Sequence, residues 1–322
     1  SDLSKHFICP ISRELMVDPV IAEDGNTYER TEIEKWLTEH FTSPLTNEEL
    51  DSEVLYENRA VRQQIEGLVE SGELDEDLCT AWRERKTVTE RKRSLARAEE
   101  LFDGGFGDLE AVEEAARLGL PEAQTELSTR YYYGEAGVVA DVATALEWAK
   151  MAAENGEVDA QFRLAFAYEN GEGLADDPAM AKVWYEKAAA QGHDASMYNL
   201  GVMHDEGRRS FPKNRKVAVE WYRKSADTGY AAAQYNLGMC YYDGEGVKRN
   251  RKTSRMWLER AAAQSHSDAE GKLGTLLVKG EGGKRDVAQG CALWARAAEN
   301  GDKRAKANLK RLNSLMGGVD FN

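Results

Sequence analysis

The chain has 322 residues, a net charge of −15 and a hydrophobic content of 42%. This length corresponds to about two domains and is sufficient to bury a core without disulfides or metals. No apolar run approaches the ~20 residues that cross a bilayer, so we expect no membrane partner. The acidic balance argues against nucleic acid as the main partner.

The four cysteines are far apart in the sequence and form no CxxC pair. This spacing argues against a disulfide framework and favours a reducing compartment. We therefore expect the protein to be cytoplasmic. Lone Cys9, which stands beside a proline, is interpreted as a small buried residue rather than a nucleophile.

The first predicted elements are two short strands that form a hairpin. Val20-Ile21-Ala22 and Thr27-Tyr28 are the strand candidates, and Asp24-Gly25-Asn26 between them has the composition of a turn. Polar residues around this hairpin are expected to brace the neighbouring loops.

Two helices are predicted after the hairpin. Thr31 and Glu34 have the spacing of a capping box, and Ile33, Trp36 and Leu37 then give a short amphipathic helix. A loop at residues 42–46 separates it from a second helix at residues 58–65. The N-terminal 70 residues hold 6 basic and 16 acidic residues, which suggests a partner with a basic face.

The N-terminal region resembles the U-box, the zinc-free relative of the RING domain. The resemblance extends over residues 6–68 and is therefore more specific than a single motif. The residues that carry it are Phe7, Cys9-Pro10-Ile11, Glu14-Leu15-Met16, Asp18-Pro19-Val20, Gly25, Thr27-Tyr28, Ile33, Trp36-Leu37, Pro44, Thr46, Leu50, Asn58 and Ile65.

A RING-type zinc site is excluded by composition. Two zinc ions need eight Cys or His ligands, whereas residues 1–70 contain only Cys9, His6 and His40. We expect no metal and no cofactor. Charged and polar side chains must brace the loops instead.

The resemblance implies docking of a ubiquitin-conjugating enzyme in a shallow apolar groove between two loops and the central helix. Matched residue by residue, the docking positions are Ile11, Trp36 and Pro44, and local core packing is the alternative for each. Arg13 stands near the first loop, where it could change partner choice. Asn47 stands where some members carry an arginine that positions ubiquitin, which puts the strength of any ligase activity in doubt.

Residues 71–94 predict a charged helical connector. Arg83–Arg97 carries seven basic and two acidic residues, so a solvated helix is the plain interpretation. The alternative is a nuclear-import patch or an acidic-partner site around Arg91-Lys92-Arg93, with nuclear localisation as its consequence.

A repeat of 36–37 residues occupies the rest of the chain. Tryptophans, core leucines and mid-repeat glycines all keep this step, at Trp148, Trp184, Trp221, Trp257 and Trp294, at Leu127, Leu164, Leu200, Leu237, Leu273 and Leu309, and at Gly134, Gly171, Gly207, Gly244 and Gly280. Such self-similarity indicates a solenoid of stacked helix pairs. The Gly-x-Gly segments follow helices, so they are turns rather than nucleotide loops.

This pattern resembles the Sel-1-like repeat, most clearly in residues 160–192 and 233–264. The resemblance implies a curved, tetratricopeptide-like scaffold that binds a partner. We count about five full repeats after a short capping repeat, Leu95–Gly119. The third repeat departs from the pattern at Gly207-Arg208-Arg209, where a longer turn is expected.

A variable polar row precedes the core leucines. Its chemistry changes while its spacing is constant, which suggests that it binds a partner, and its cationic and amide groups are suited to an acidic peptide or a C-terminal carboxylate. A solvated helix face is the alternative. The row comprises Glu126, Arg163, Asn199, Asn236, Lys272 and Asn308, and the candidate binding residues in it are Arg163, Asn199, Asn236 and Lys272.

The sequence as a whole therefore predicts a mostly α protein. Its domains are a small α+β U-box at 1–70, a connector at 71–94, a Sel-1-like solenoid at 95–316 and a frayed C-terminus at 317–322. The leading hypothesis is a ubiquitin-protein ligase whose partners are a conjugating enzyme, ubiquitin, and a substrate or chaperone. The alternative is a non-catalytic scaffold or chaperone-linked adaptor with a degenerate U-box. Homodimerisation is left open.

Overall fold

A computed structural model describes residues 2–50, 54–102, 108–207 and 212–315. Two compact units divide the chain, the first formed by Ser1–Gly107 with Arg117–Gly119 and the second by Asp108–Ala116 with Leu120–Asn322. Helices dominate, which confirms the predicted mostly α class with a small α+β module. None of the described helices is long and apolar enough to cross a bilayer.

In its described residues, the first unit contains a three-stranded antiparallel sheet and three α-helices. The sheet has the order β2-β1-β3, in which Val20 pairs with both Tyr28 and Glu57. A short 3-10 helix, Asp2–Phe7, precedes the sheet. The elements are β1 (Pro19–Ile21), β2 (Thr27–Glu29), α1 (Arg30–Glu39), β3 (Tyr56–Glu57), α2 (Arg59–Ser71) and α3 (Glu76–Phe102).

The predicted hairpin and both predicted helices are confirmed, but the capping box is wrong. Helix α1 begins at Arg30, so Thr31 lies inside it, and its N-cap residue Glu29 makes no side-chain cap. The Glu29 carboxylate instead accepts hydrogen bonds from the amides of Val17, at 2.6 Å, and Asp18. Buried amides outside the helix therefore use the group that would otherwise cap it.

A buried carboxylate just before β1 joins the three helices of the first unit. Asp18 is 2% exposed and accepts from Arg30 at 2.8 Å and from Arg62 at 2.5 Å. Arg93 of α3 also pairs with it. A buried charge is tolerated when it is paired and hydrogen-bonded, and Asp18 meets that condition.

Helix α3 is part of the first unit's core, so the interpretation of its first half as a solvated connector is wrong. Trp82 is 4% exposed, packs in the same core cluster as Cys79 and Ile65, and donates from Nε1 to the Met16 carbonyl at 2.9 Å. Arg93, a member of the predicted basic patch, pairs with Asp18. The helix runs unbroken to Phe102, so it passes through Leu95, the predicted start of the capping repeat.

The second unit is a series of antiparallel helix pairs. In the described residues these pairs confirm the predicted α-helical solenoid, while the longer turn at Gly207-Arg208-Arg209 and the frayed C-terminus lie outside them. The helices are α4 (Leu109–Arg117), α5 (Pro121–Tyr133), α6 (Val142–Glu154), α7 (Val158–Asn170), α8 (Pro178–Ala190), α9 (Asp194–Glu206), α10 (Arg215–Thr228), α11 (Ala231–Asp243), α12 (Arg251–Ala263), α13 (Ser267–Lys279), α14 (Val287–Glu299) and α15 (Lys303–Leu315).

Small residues set the spacing between successive pairs. The second glycine of the turn after α11, Gly246, approaches the start of α10 so closely that a Cβ would lie 2.2 Å from the Arg215 carbonyl oxygen. Gly282 meets Arg251 of α12 in the same way, at 2.3 Å. These contacts explain why the turns have a Gly-x-Gly pattern, since any side chain there would separate neighbouring repeats.

Trp82 provides a test of the role of α3. Trp82→Ala removes a buried indole and its hydrogen bond, so we expect the free energy of unfolding of the first unit to fall by about 3–5 kcal/mol. Val88→Ala, on the same helix but 55% exposed, should change it by less than about 0.5 kcal/mol. Hydrogen exchange of residues 2–102 in a urea series measures both, and equal effects would contradict a core role for α3.

Candidate protein-docking sites

Two loops of the first unit share one hydrogen-bond pattern. In the first, Cys9 N donates to Glu14 O at 2.7 Å and Arg13 N donates to Cys9 O at 2.9 Å. In the second, Ser43 N donates to Glu48 O at 2.8 Å and Asn47 N donates to Ser43 O at 3.0 Å. The loops are therefore equivalent, position by position.

The equivalence extends to backbone conformation. Arg13 and Asn47 both have positive φ, 64° and 60°, at the same step of their loops. Asparagine adopts this left-handed conformation more readily than most residues, which is one structural reason why an asparagine occupies position 47. Arg13 adopts it as well, so an arginine fits at this step.

Residues of β2 hold the two loops side by side. Glu29 N donates to the buried sulfur of Cys9 at 3.3 Å, and the preceding residue, Tyr28, lies with its hydroxyl 3.5 Å from that of Ser43. Because consecutive residues of one strand contact the first residue of each loop, the loops lie next to each other.

Ser43 organises the second loop without a metal. Its hydroxyl accepts from Leu45 N at 3.1 Å and from Thr46 N at 3.0 Å, and it donates to Asp24 at 2.6 Å. Tyr28 donates to the same Asp24 carboxylate at 2.6 Å. These bonds are the polar braces expected in place of zinc, and no cluster of metal-ligating side chains occurs among the described residues.

The pKa values of Asp24 and Tyr28 follow from their burial and their hydrogen bonds. Partial burial opposes ionisation of Asp24, but hydrogen bonds from Ser43, Tyr28 and Asn26 favour its carboxylate more strongly, so its pKa lies below the ordinary value. Burial, followed by the bond to Asp24, raises the pKa of Tyr28 to about 12. Asp24 is therefore a carboxylate at neutral pH, as the brace requires.

The predicted docking residues surround these loops. Ile11 and Pro44 are half-buried on the first and second loops, while Arg13 and Asn47 are exposed. Trp36 on α1 is also half-buried and donates from Nε1 to the Thr42 carbonyl at 2.8 Å, so it fixes the start of the second loop. Its ring stacks on His40, with 4.1 Å between ring centroids.

Leu45 is a docking candidate that the sequence reasoning missed. It is the counterpart of Ile11 on the second loop and is 53% exposed. The signal is an internal repetition, because Cys9-Pro10-Ile11-Ser12-Arg13-Glu14 and Ser43-Pro44-Leu45-Thr46-Asn47-Glu48 follow one pattern. Each loop therefore carries one proline and one aliphatic side chain.

The polar row of the second unit is half-buried and bonded rather than simply solvated. Asn199 donates to the Tyr185 hydroxyl at 2.9 Å, and Asn236 lies close enough to the phenols of Tyr198 and Tyr222 to oppose the rise in their pKa that burial causes. These two amides brace the array internally.

The two cations of the row also link successive repeats. Arg163 donates to Thr129 at 3.1 Å and lies over the Tyr132 ring, 5.6 Å from its centroid. Lys272 Nζ lies 3.4 Å from the centroid of Tyr242, the equivalent ring of another repeat. Such contacts contribute about 0.5–2 kcal/mol each, so both cations have a structural role.

Two grooves on the first helices of the repeats adjoin these cations. One has a volume of ≈ 470 Å³ and combines aromatic side chains with Arg163, and its lining includes Tyr132, Tyr133, Phe162, Phe166 and His193. The other has a volume of ≈ 570 Å³ and is polar, and its lining includes Tyr235, Met239, Lys272, Thr275, Lys303 and Arg304.

Comparison with known proteins supports the architecture described above. The sequence model of the U-box domain matches residues 4–73, and that of the Sel1 repeat matches five segments that together cover residues 121–302. The chain therefore belongs to the Sel1 repeat family and carries an N-terminal U-box domain.

Relatives of the U-box are 47% identical over 72 residues in the human WD repeat, SAM and U-box domain-containing protein 1, and 55% identical over 64 residues in the putative U-box domain-containing protein 58 of Arabidopsis thaliana. The matches cover 22% and 20% of this chain and 15% of each relative. A probable bifunctional E2/E3 enzyme of Acanthamoeba polyphaga mimivirus is 35% identical over 92 residues, which are 29% of this chain and 6% of the relative. The chain thus spans only a small part of these relatives.

Solved Sel1-type structures resemble the repeats. The protective antigen c5321 of uropathogenic Escherichia coli superimposes with a TM-score of 0.63 and 29% identity, covering 82% of this chain and 58% of that one. A Sel1 repeat protein from Oxalobacter formigenes gives 0.59 and 28%, covering 71% and 92%.

Ser43 provides a test of the metal-free brace. Ser43→Ala leaves the amides of Leu45 and Thr46 without their acceptor, so we expect a loss of about 1–3 kcal/mol in the free energy of unfolding. Ser12→Ala removes a hydroxyl from an exposed contact in the first loop and should have little effect. Hydrogen exchange at residues 43–48 reports both, and a stable loop in Ser43→Ala would contradict the brace.

Proposed function

We propose that the chain is a ubiquitin-protein ligase whose U-box docks a ubiquitin-conjugating enzyme on the paired loops. The observation that carries the proposal is the pair of equivalent loops, each with a proline and an aliphatic side chain beside half-buried Trp36. An apolar patch on rigid loops is suited to binding another protein. The relatives named as U-box and E2/E3 proteins support the same reaction class.

In this proposal the chain forms no covalent bond to ubiquitin. Ile11, Trp36, Pro44 and Leu45 bind the conjugating enzyme, with Arg13 at the edge of the surface. Catalysis consists of holding the enzyme's ubiquitin thioester in a reactive pose for attack by a lysine amine, which is proximity and orientation catalysis. Each tenfold gain in rate requires only about 1.4 kcal/mol.

The Sel1 array holds the substrate or its carrier in this proposal. Its first helices carry the two grooves next to Arg163 and Lys272, whereas Asn199 and Asn236 act by keeping the array rigid. Chemically different grooves on one repeated scaffold are consistent with selective binding of a protein segment.

A scaffold with little ligase activity is the second candidate. Asn47 favours it, because an amide lacks the charge and the fork of donors that an arginine would offer to ubiquitin. In that case the U-box recruits the conjugating enzyme, and the repeats supply the main function, either as a scaffold or as a chaperone-linked adaptor.

The docking surface is tested by loss of activity. Ile11→Asp and Leu45→Asp each place a charge in the apolar contact, so we expect at least a tenfold slower discharge of ubiquitin from the conjugating enzyme to free lysine. Val88→Asp, an equally exposed apolar position on α3, is the matched control and should discharge normally. Full activity of Ile11→Asp across a panel of conjugating enzymes would refute the docking assignment.

Asn47 is tested by gain of activity. Asn47→Arg should accelerate discharge several-fold, since Arg13 adopts the same backbone conformation in the equivalent loop and an arginine is therefore accommodated. Thr46→Arg adds the same charge one residue away and should not accelerate it. No acceleration by Asn47→Arg would mean that this position does not contact ubiquitin.

A further inference from the structure

The polar groove lies where one repeat has a glycine in place of a larger side chain. Two residues before the core leucine, other first helices carry Phe162, Tyr198 and Tyr235, whereas α13 carries Gly271. Gly271 is buried, and its carbonyl accepts from Trp294 Nε1 at 3.1 Å. A Cβ at this position would lie 2.2 Å from a carboxylate oxygen of Asp302, so the glycine lets Asp302 lie against α13. Both residues line the ≈ 570 Å³ groove between α11, α13 and the start of α15.

Cations line this groove. Lys272 lies on α13, and exposed Lys303 and Arg304 begin α15. No described carboxylate forms an ion pair with Lys303 or Arg304. The groove also contains two carboxylates, Asp268 and Asp302, of which Asp302 accepts from the amides of Arg304 and Ala305 and so caps α15.

Further basic residues lie near the groove. Helix α15 has five basic residues and no acidic residue, in a chain whose net charge is −15. Burial lowers the pKa of Lys272, which lies over the Tyr242 ring. Arg251 lies over the same ring, 3.3 Å from its centroid. An anion in the groove would interact favourably with Lys303 and Arg304.

The aromatic groove provides a contrast within the same molecule. Phe162, Arg163 and Phe166 of α7 occupy the steps at which α13 has Gly271, Lys272 and Thr275. The cation is common to both grooves, but the two phenylalanines are replaced by a glycine and a hydroxyl. Only the second groove has additional cations, Lys303 and Arg304, for an anionic group.

We propose that the groove between α11, α13 and α15 binds an acidic segment of a protein partner, with Lys272, Lys303 and Arg304 contacting its carboxylates. A polypeptide fits because Tyr235 and Met239 provide an apolar wall, and the Asn308 amide provides polar atoms for a backbone. A long polyanion such as RNA is disfavoured by the acidic remainder of the chain. The inference deepens the proposed function, since it assigns a chemistry to the segment that the repeats hold.

The test is fluorescence anisotropy of a labelled peptide of alternating Asp, Glu and Leu with the full chain. We expect Lys303→Glu combined with Arg304→Glu to weaken binding at least tenfold. The matched control is Lys306→Glu combined with Lys310→Glu, which makes the same charge change on the same helix outside the groove. It should weaken binding less than about threefold through screened long-range charge alone. A peptide with Asn and Gln in place of Asp and Glu should bind at least tenfold more weakly.

Three results would overturn the inference. Equal weakening by the two double variants would mean non-specific attraction to α15. Binding of poly-uridine RNA or of a phosphopeptide, without binding of the acidic peptide, would assign the groove to another ligand. Self-association of the chain that the Lys303 and Arg304 changes abolish would assign it to a second copy.

Ubiquitin discharge to free lysine separates this inference from the proposed ligase function. That reaction needs no substrate on the repeats, so the Lys303 and Arg304 variant should discharge at the wild-type rate. Peptide binding without discharge in the wild type would overturn the ligase proposal alone. Discharge without selective peptide binding would overturn the groove inference alone.

Discussion

Closure of two six-residue loops by backbone hydrogen bonds is the constraint on which the candidate docking surface depends. Each loop is closed by the same two bonds, and its first residue, Cys9 or Ser43, is buried against β2. In a metal-bound module, coordination would provide this rigidity. Here the Asp24 carboxylate, the Ser43 hydroxyl and the Tyr28 phenol provide it in the second loop. Because the loops are fixed, Leu45 can remain exposed and Ile11 and Pro44 half-buried without the backbone collapsing around them.

The repeats depend on a different constraint, the close approach of neighbouring helix pairs. Glycine in the turns allows backbone contact, and the buried leucines fill the space between helices. Side chains differ between repeats where they line a groove. Phe162 and Gly271 occupy equivalent steps, and the grooves that they line differ in chemistry while the helices keep their register.

Much of this architecture could be predicted because it follows from local periodicity. The tryptophan and leucine columns placed the helix pairs, and the hairpin followed from Asp24-Gly25-Asn26 between two β-prone segments. What could not be predicted depends on contacts between residues far apart in sequence. Glu29 bonds to Val17 N, so the apparent capping box at Thr31 has no role, and Trp82 is buried against a strand region 66 residues earlier.

The candidate site was predictable to the extent that family resemblance covers it. Ile11, Trp36 and Pro44 were placed by matching motifs, whereas Leu45 required recognition that the second loop repeats the first. On the repeats, spacing identified the polar row but not its bonding partners. Asn199 contacts Tyr185, whose orientation depends on the packing of α8, which sequence spacing does not specify.

The central claim is that the paired loops form the surface that receives the conjugating enzyme. Its most direct test is hydrogen exchange of the full chain with and without each member of a panel of conjugating enzymes. The account predicts added protection at residues 9–14 and 43–48 and at the end of α1, with none at β3. Protection confined to other parts of the first unit, or its absence with every enzyme while the loops remain folded, would contradict the claim.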